Sequence, residues 1–262
     1  MLSDENKRKI EELKQRRDAF RKAGEQVFTS KEFYDYVRDR AFSKPNYTPE
    51  MLRRLGLAEE NIPSFLAKEK ENNTRTLRYF FDKVSQKAPY STSLTSNMHE
   101  ELMEGLIFGA GSYRSARAFM ASTAIVPPNY VKIPFIMDQL EADVNTPNQR
   151  TLDTALHIHY TLLTTQPFSD GNKRTARLMM NLYLMERGYP PIFVERERKA
   201  EYLASMEEKF VKSDDNRYYS FMLDLLKDSF DNVTQMTEPV KLKHHDSGKG
   251  PNTNIKNNQY GD

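Results

Sequence analysis

The sequence predicts a mostly α-helical protein, for three reasons. Apolar residues recur at helical spacing along most of the 262 residues, and proline or glycine separates the segments. The chain holds 15 Phe and 14 Tyr, enough for a core although only 38% of it is hydrophobic. The segment 172–187 is apolar on nearly every side, as expected for a helix buried at the centre of a domain.

Residues 1–92 are predicted to form an N-terminal helical extension. Between residues 5 and 22, 12 of 18 residues are charged, and the few apolar ones form a thin line at helical spacing. This pattern predicts an exposed helix that rests lightly on the body, with docking to a partner helix as the alternative. Thr48-Pro49-Glu50 predicts a helix start with proline at the first helical position.

Residues 93–235 are predicted to form the main helical domain, and residues 236–262 a disordered tail rich in Lys, His, Asp, Gly and Asn. The segment 119–126 is expected to be extended or a short β-hairpin, since two prolines stop it. In chain order, helices are expected over 31–40, 74–84, 95–106, 134–144, 151–164, 172–187, 198–211 and 217–229.

Charge and composition exclude several classes of function. Lys plus Arg is 39 and Asp plus Glu is 37, so a net charge of +2 provides no global basic field for nucleic acid. The absence of Cys excludes disulfides, thiolate metal sites and a Cys nucleophile. No apolar run approaches the ~20 residues that a membrane helix needs. We therefore expect neither a nucleic-acid nor a membrane partner, and a cytoplasmic location.

The loop 166–171 and the start of the helix after it predict a phosphate site. The first turn of a helix exposes unpaired N–H groups and the positive end of the dipole, and Gly171 lets the backbone approach an anion closely. Lys173, Arg174 and Arg177 place three cations in that turn region. Cations at this end of a helix oppose the dipole, and each costs roughly 0.3–1 kcal/mol of stability when exposed. A bound polyanion would offset that cost.

Spacing assigns provisional roles within this stretch. Arg174 and Arg177 are three residues apart, so we expect them to share a helix face and grip one polyanion. Asp170 is placed to hold a divalent cation that bridges phosphates. In the alternative interpretation, Asp170 is a simple N-cap and the cations form a surface patch, and the residues alone leave both open.

The sequence resembles the Fic/Doc family, which has the Fido fold and the signature His-x-Phe-x-Asp-Gly-Asn-Gly-Arg-x-x-Arg. The resemblance extends over about residues 93–229. Gly111-Ser112-Tyr113-Arg114 is similar to the family's Gly-x-Tyr-Arg segment, and residues 124–128 take the place of the flap that aligns a target chain. The signature itself is matched at the family's spacing by Phe168, Asp170, Gly171, Asn172, Arg174 and Arg177.

The resemblance implies a helical domain with a short β-hairpin flap that binds ATP and Mg²⁺. In the family, the signature His takes a proton from a protein hydroxyl, which attacks the α-phosphate, so that AMP is transferred and pyrophosphate leaves. Carried over to this chain, Asp170 would bind Mg²⁺ and Phe168 would anchor the loop. The nucleotide-binding positions would be Gly171, Asn172, Lys173, Arg174 and Arg177.

The chain departs from the family signature at two positions. Gln166 stands where the catalytic His belongs, and because a carboxamide is not a useful base, we expect a loss of ~10²–10⁴ in rate. His157 and His159, further back along the preceding helix, are expected to be structural. Lys173 replaces the second glycine as in Doc-like members, which transfer the γ-phosphate, whereas Arg177 is Fic-like, so the orientation of the donor stays open.

The sequence lacks the Ser/Thr-x-x-x-Glu-Gly/Asn pattern of the family's inhibitory helix. The Glu-Gly and Glu-Asn pairs begin at Glu5, Glu60, Glu71 and Glu104, and none has Ser or Thr four residues earlier. The first expectation is therefore nucleotide binding with weak or absent AMP transfer. The alternatives are Doc-like phosphotransfer, hydrolysis with Gln166 orienting a water, and an inactive interaction or regulatory protein. The protein target and a homodimer remain open.

Overall fold

The computed structural model describes residues 2–42, 45–121, 123–147 and 150–246, and it confirms the mostly helical class. Short 3₁₀ turns lie at Glu59–Asn61, Tyr130–Lys132 and Arg196–Arg198. The helices are α1 Asp4–Phe28, α2 Lys31–Ala41, α3 Pro49–Arg54, α4 Ile62–Gln86, α5 Thr92–Met103, α6 Ile133–Val144, α7 Thr151–Thr165, α8 Asn172–Glu186, α9 Lys199–Lys212 and α10 Asn216–Asp246.

The α7–α8 pair forms the centre of the molecule. The two helices pack along each other, and α8 also contacts α4 and α5. Leu178, Met179, Leu182 and Leu184 are all buried, on successive faces of α8. The prediction that this segment is a helix buried at the centre of the domain is therefore confirmed. Its central position brings the loop that precedes α8 close to several elements at once.

Helix starts follow the polar residues of the sequence. Ser3, Ser30, Thr48 and Ser91 each accept a hydrogen bond from a backbone N–H in the first turn of the following helix. The start expected at Thr48 is confirmed, with Pro49 at the first helical position.

The expectation that the first helix rests lightly on the body is wrong. Leu13, Phe20 and Val27 of α1 are buried, and the helix packs along α10. The ring of Phe20 meets that of Phe230 edge-on at 6.0 Å. A thin apolar line is enough to attach α1, because only the one side of the helix that faces α10 is buried. The charged residues stay in water and pair at the edge of this contact, as Arg16 does with Asp231 at 2.6 Å.

Other boundaries also differ from the expectations. The helix expected over 74–84 is longer at both ends, since α4 spans Ile62–Gln86 and holds Pro63 in its first turn, where the missing N–H costs nothing. The tail expected from residue 236 begins within α10, which continues to Asp246, and residues 247–262 lie outside the described residues. No strand is formed over 119–121 and 123–126, where the chain is an irregular flap, so the hairpin expectation fails there.

Within the described ranges, no helix is long and apolar enough to cross a membrane.

Candidate functional site

The loop between α7 and α8 turns at two residues with left-handed backbone. Gln166 ends α7 with φ 47° and ψ 62°, and Gly171 precedes α8 with φ 73°. A Cβ on Gly171 would lie 2.9 Å from Cγ and Sδ of Met103, which is closer than packing allows. The position therefore requires glycine for both conformation and space.

The interior of the loop is held by Phe168 and Asn172. Phe168 is buried and stacks on the ring of His99 at 3.8 Å, as the anchor role predicts. The Asn172 side chain accepts from the Phe168 N–H and donates to the Phe168 carbonyl, both at 2.8 Å. Both polar atoms of the Asn172 side chain are therefore bonded to the loop backbone. Only the backbone of Asn172, at the start of α8, is left to contact a ligand.

His99 of α5 is a site residue that the sequence analysis missed. Its Nδ1 accepts from the Gly111 N–H and its Nε2 donates to the Asp170 carbonyl, each at 2.9 Å. Burial lowers the pKa of His99 to about 4, so the ring is neutral with its proton on Nε2. It ties the 109–112 turn to the loop. No spacing in the sequence relates His99 to residue 170, so only the fold reveals this contact.

Arg114 fastens the flap to the end of α7. Its guanidinium donates to the carbonyls of Ala116, Pro128, Thr165 and Gln166, at 2.6, 2.7, 3.2 and 2.6 Å respectively. Burial lowers the pKa of this arginine. The Gly-x-Tyr-Arg segment thus serves a structural purpose, since one buried cation satisfies carbonyls from three stretches of backbone.

The N-terminus of α8 faces a cleft of about 400 Å³. Its N-cap is Gly171, so no side chain caps the first N–H groups. Besides the loop, the cleft is lined by Asn46, Tyr47, Met51, Phe119, Met120, Ala121, Thr123 and Leu203. There is accordingly open space beside Gly171, between the flap, α9 and the N-terminal extension.

Asp170 lies at the edge of this cleft with both carboxylate oxygens engaged. Oδ2 accepts from the Tyr47 hydroxyl at 2.5 Å, and Oδ1 accepts from the Gly171 N–H at 2.6 Å. Burial, reinforced by this hydrogen bond and the Asp170 charge, raises the pKa of Tyr47, so the phenol stays protonated and donates.

Arg174 faces the N-terminal extension. Its guanidinium lies 3.6 Å from Oε1 of the buried Glu69 and 5.5 Å from the centre of the Tyr47 ring. Nη1 is buried without a hydrogen-bond partner. Glu69 also accepts from the N–H and side-chain amide of Asn46, at 2.9 and 3.1 Å. Glu69 belongs to none of the Glu-Gly or Glu-Asn pairs of the sequence, so the motif search passed over a carboxylate that reaches the site.

Arg177 points to the other side of α8. Its guanidinium lies 5.8 Å from the centre of the Tyr202 ring, and its Nε is buried without a hydrogen-bond partner. The shared grip expected for Arg174 and Arg177 is therefore not found, because the two side chains go to different neighbouring helices. His159, hydrogen-bonded to the hydroxyls of Tyr202 and Tyr218, is the structural histidine that was expected.

Lys173 and Gln166 complete the surroundings of the cleft. Partial desolvation and the nearby cations of Lys199 and Arg177 lower the pKa of the exposed Lys173. The Gln166 side chain folds back onto α7, where Nε2 donates to the Leu163 carbonyl at 2.6 Å. No imidazole stands at the position of the family's base.

Comparison with known proteins agrees with this architecture. Residues 89–184 match the sequence model of the Fic/DOC family. The chain is 37% identical over 99 residues to the protein adenylyltransferase fic-1 of Caenorhabditis briggsae and 35% identical over 129 residues to that of Caenorhabditis elegans. These stretches are 37% and 44% of this chain but only 19% and 25% of the relatives, so the chain spans a quarter or less of their length.

Solved structures show the same fold. Fic-1 from C. elegans superposes with a TM-score of 0.69 at 19% identity, covering 90% of this chain and 73% of that one. A Fic domain containing signaling protein from Bacteroides thetaiotaomicron superposes with a TM-score of 0.67 at 16% identity, covering 88% and 98%. At these identities the likeness is one of fold.

Proposed function

We propose that this chain, whose residues 89–184 match the sequence model of the Fic/DOC family, binds ATP at the start of α8 as an adenylyltransferase-type domain with weak or no AMP transfer. One observation carries the proposal: an uncapped helix N-terminus opens onto a cleft of about 400 Å³ that Lys173 and Arg174 line, while Gln166 stands beside it without basic character.

The residues of the cleft fit a phosphate chain. Free N–H groups in the first turn of α8 and the positive end of its dipole favour anions. Arg174 adds a cation beside them, because its Nη1 lies 3.6 Å from Oε1 of Glu69 but makes no hydrogen bond to any described residue. Lys173 on the rim adds a second positive charge. Arg177, which lies against Tyr202, would contribute through the field of its charge.

Asp170 fits the role of a magnesium ligand. Mg²⁺ is held by one or two carboxylates together with substrate phosphates, and Asp170 provides one such carboxylate at the mouth of the cleft. When bound, the ion would neutralise phosphate charge. The hydroxyl of Tyr47 competes for the same carboxylate, so Oδ2 becomes available only when Tyr47 releases it.

Gln166 limits the chemistry of the site. Its amide cannot accept the proton of an attacking hydroxyl, and its Nε2 is already bonded to the Leu163 carbonyl. The chain's own contribution is therefore to bind and orient the nucleotide, and to hold a target hydroxyl near it. The exposed flap residues Phe119 and Val126 support a protein chain as that target.

Calorimetry with ATP and Mg²⁺ tests the binding step. We expect saturable binding that weakens at least tenfold in Arg174→Ala and is unchanged in the matched control Arg78→Ala, whose residue is exposed on α4. Absence of binding, or equal binding by the two variants, would contradict the proposal.

Restoring the base tests the assignment of Gln166. With a lysate and labelled ATP, we expect little label on protein from the natural chain and a gain of ~10²–10⁴ in rate from Gln166→His. Efficient labelling by the natural chain, with no gain from this variant, would instead indicate a base supplied from elsewhere.

Lys173 favours a second candidate reaction, transfer of the γ-phosphate as in Doc-like members. The position of the label decides between them, because α-labelled ATP marks the acceptor in AMP transfer and γ-labelled ATP marks it in phosphate transfer. We further propose that the protein acts in the cytoplasm, that residues 93–235 form the Fic-like domain with residues 1–92 as its extension, and that homodimers can form. Fractionation of cells, truncation at these bounds and sedimentation test these points.

A further inference from the structure

A second cavity, of about 660 Å³, lies at the opposite end of α8. It is separated from the loop by the length of a 15-residue helix, roughly 20 Å at ~1.5 Å per residue. The C-terminal ends of α1, α4 and α8 meet around it, with Phe28, Val84 and Met185 among its apolar lining. The proposed nucleotide site does not extend to it.

Glu186 in this cavity is a carboxylate in an unfavourable place. Its side chain is only 6% exposed, and it occupies the last turn of α8, where the helix dipole opposes negative charge. Oε2 lies 3.1 Å from the Arg187 guanidinium, but Oε1 is buried without a hydrogen-bond partner. A buried acceptor of this kind costs stability, and among the described side chains only the Arg187 pair at Oε2 offsets part of that cost.

The rim of the cavity is positive. Arg17 and Arg21 of α1 and Lys87 after α4 line it together with Arg187. Arg17 pairs with Asp18 at 2.6 Å, and Arg187 stacks 3.5 Å from the centre of the Tyr183 ring. Arg21 and Lys87 are exposed, and neither forms an ion pair with a side chain that the structure describes. The cavity therefore has an acceptor in its floor and free cations at its edge.

We propose that this cavity binds a small zwitterion, with a protonated amine seated on Oε1 of Glu186 and an acidic group held by Arg21 and Lys87. The apolar lining suits the methylene groups between the two ends of such a molecule. A simple anion would meet the Glu186 carboxylate and the carbonyl ends of the helices, and a simple cation would meet the positive rim. A molecule that carries both charges matches both regions.

The protonation of Glu186 gives the binding a pH dependence. Burial raises the pKa of Glu186 to about 7, although the Arg187 charge acts in the opposite direction. Among the side chains that the structure describes, the other charged groups around the cavity are Arg17 and Arg21 of α1, with Asp18 beside Arg17, and Lys87 after α4. Because an alkyl ammonium stays charged across this range, binding should strengthen as the pH rises from about 6 to about 8.

Amide NMR of the full chain with a ladder of α,ω-amino carboxylates, from glycine to 6-aminohexanoate, tests the proposal. We expect one length to bind saturably, moving the amide signals of Gly24 and Gly188 and leaving that of Gly171 unchanged. O-phosphoethanolamine in the same titration tells whether the acidic end is a phosphate or a carboxylate. Butylamine and inorganic phosphate, each carrying one charged end, should bind at least tenfold more weakly.

Variants separate the site from general effects on folding. Glu186→Gln should weaken binding at least tenfold and remove its pH dependence, while Arg21→Ala and Lys87→Ala should each weaken it severalfold. The matched control Lys70→Ala, at an exposed position on α4, should bind as the natural chain does. The proposal is overturned if no member of the series saturates, if Glu186→Gln binds normally, or if the shifts centre on Gly171.

Discussion

At Gly171 the backbone runs through φ 73°, and the missing side chain leaves room for Met103. Replacing it with alanine should destabilise the fold by about 2–4 kcal/mol, because left-handed strain and a steric clash add together. Gly56 provides a control, since its φ is 85° but no atom lies within 4 Å of its would-be Cβ. Gly56→Ala should cost only about 1–2 kcal/mol. Urea unfolding measures both, and equal losses would show that Met103 does not confine the loop.

Glu186 predicts a pH-dependent stability. Its native pKa of about 7 lies above the ordinary value of 4.5, so between these values the folded chain holds a proton that the unfolded chain has lost. Stability is therefore lost as the pH rises through this window, by about 3 kcal/mol in total.

Glu186→Gln removes this dependence. The variant should match the natural chain near pH 4 and unfold at higher urea concentration at pH 8. A constant difference across that range would contradict the buried carboxylate. A more stable variant that no longer binds a zwitterion would also show that lost binding is not lost folding.

Among the elements, α1 is predicted to contribute substantially to stability despite its charge. Phe20→Ala should cost about 3–5 kcal/mol, since the ring is buried against Phe230 and Gly24 leaves space for it. Lys14→Ala, at an exposed position of the same helix, should change stability by less than about 0.5 kcal/mol. Thermal or urea unfolding measures the loss of stability in both variants. Similar losses would indicate that α1 is only lightly attached to the rest of the molecule.

In these two proposals, the α8 helix would serve one site at each of its ends. Its N-terminus offers free N–H groups to anions, and its C-terminus brings Glu186 to the second cavity. Because the helix is buried along its length, substitutions in its interior should disturb both ends together. Substitutions confined to Arg174 or Glu186 should affect one end each.

At the scale of the whole molecule, the N-terminal extension is part of the candidate nucleotide site. Tyr47 bonds Asp170 of the loop, and Glu69 of α4 pairs with Arg174 of α8, so two charged groups of the site are held from outside the residues that match the family. A nucleotide must displace these contacts to use both groups. The extension therefore sets how available the site is, as well as supporting it.

Glu69→Gln tests this coupling. The neutral side chain can keep its contacts to Asn46 but no longer holds Arg174 by charge, so ATP affinity should rise on the order of tenfold. Glu71→Gln, at an exposed position two residues further along α4, should leave the affinity unchanged. Calorimetry with ATP and Mg²⁺ compares the variants, and a decrease or no change in Glu69→Gln would show that the pair does not restrain Arg174.

The sequence by itself determined most of the helices, the central position of α8 and the turn at Gly171 that leads into it. These features depend on local spacing, on backbone conformation and on the chemistry of neighbouring residues. Only the tertiary structure showed that one side of α1 is buried, and that Arg174 and Arg177 point to different neighbouring helices. It also showed that His99 and Glu69 contact the site. Each of these depends on which helix face meets which neighbour, and contacts between residues far apart in the chain leave no periodic trace in the sequence.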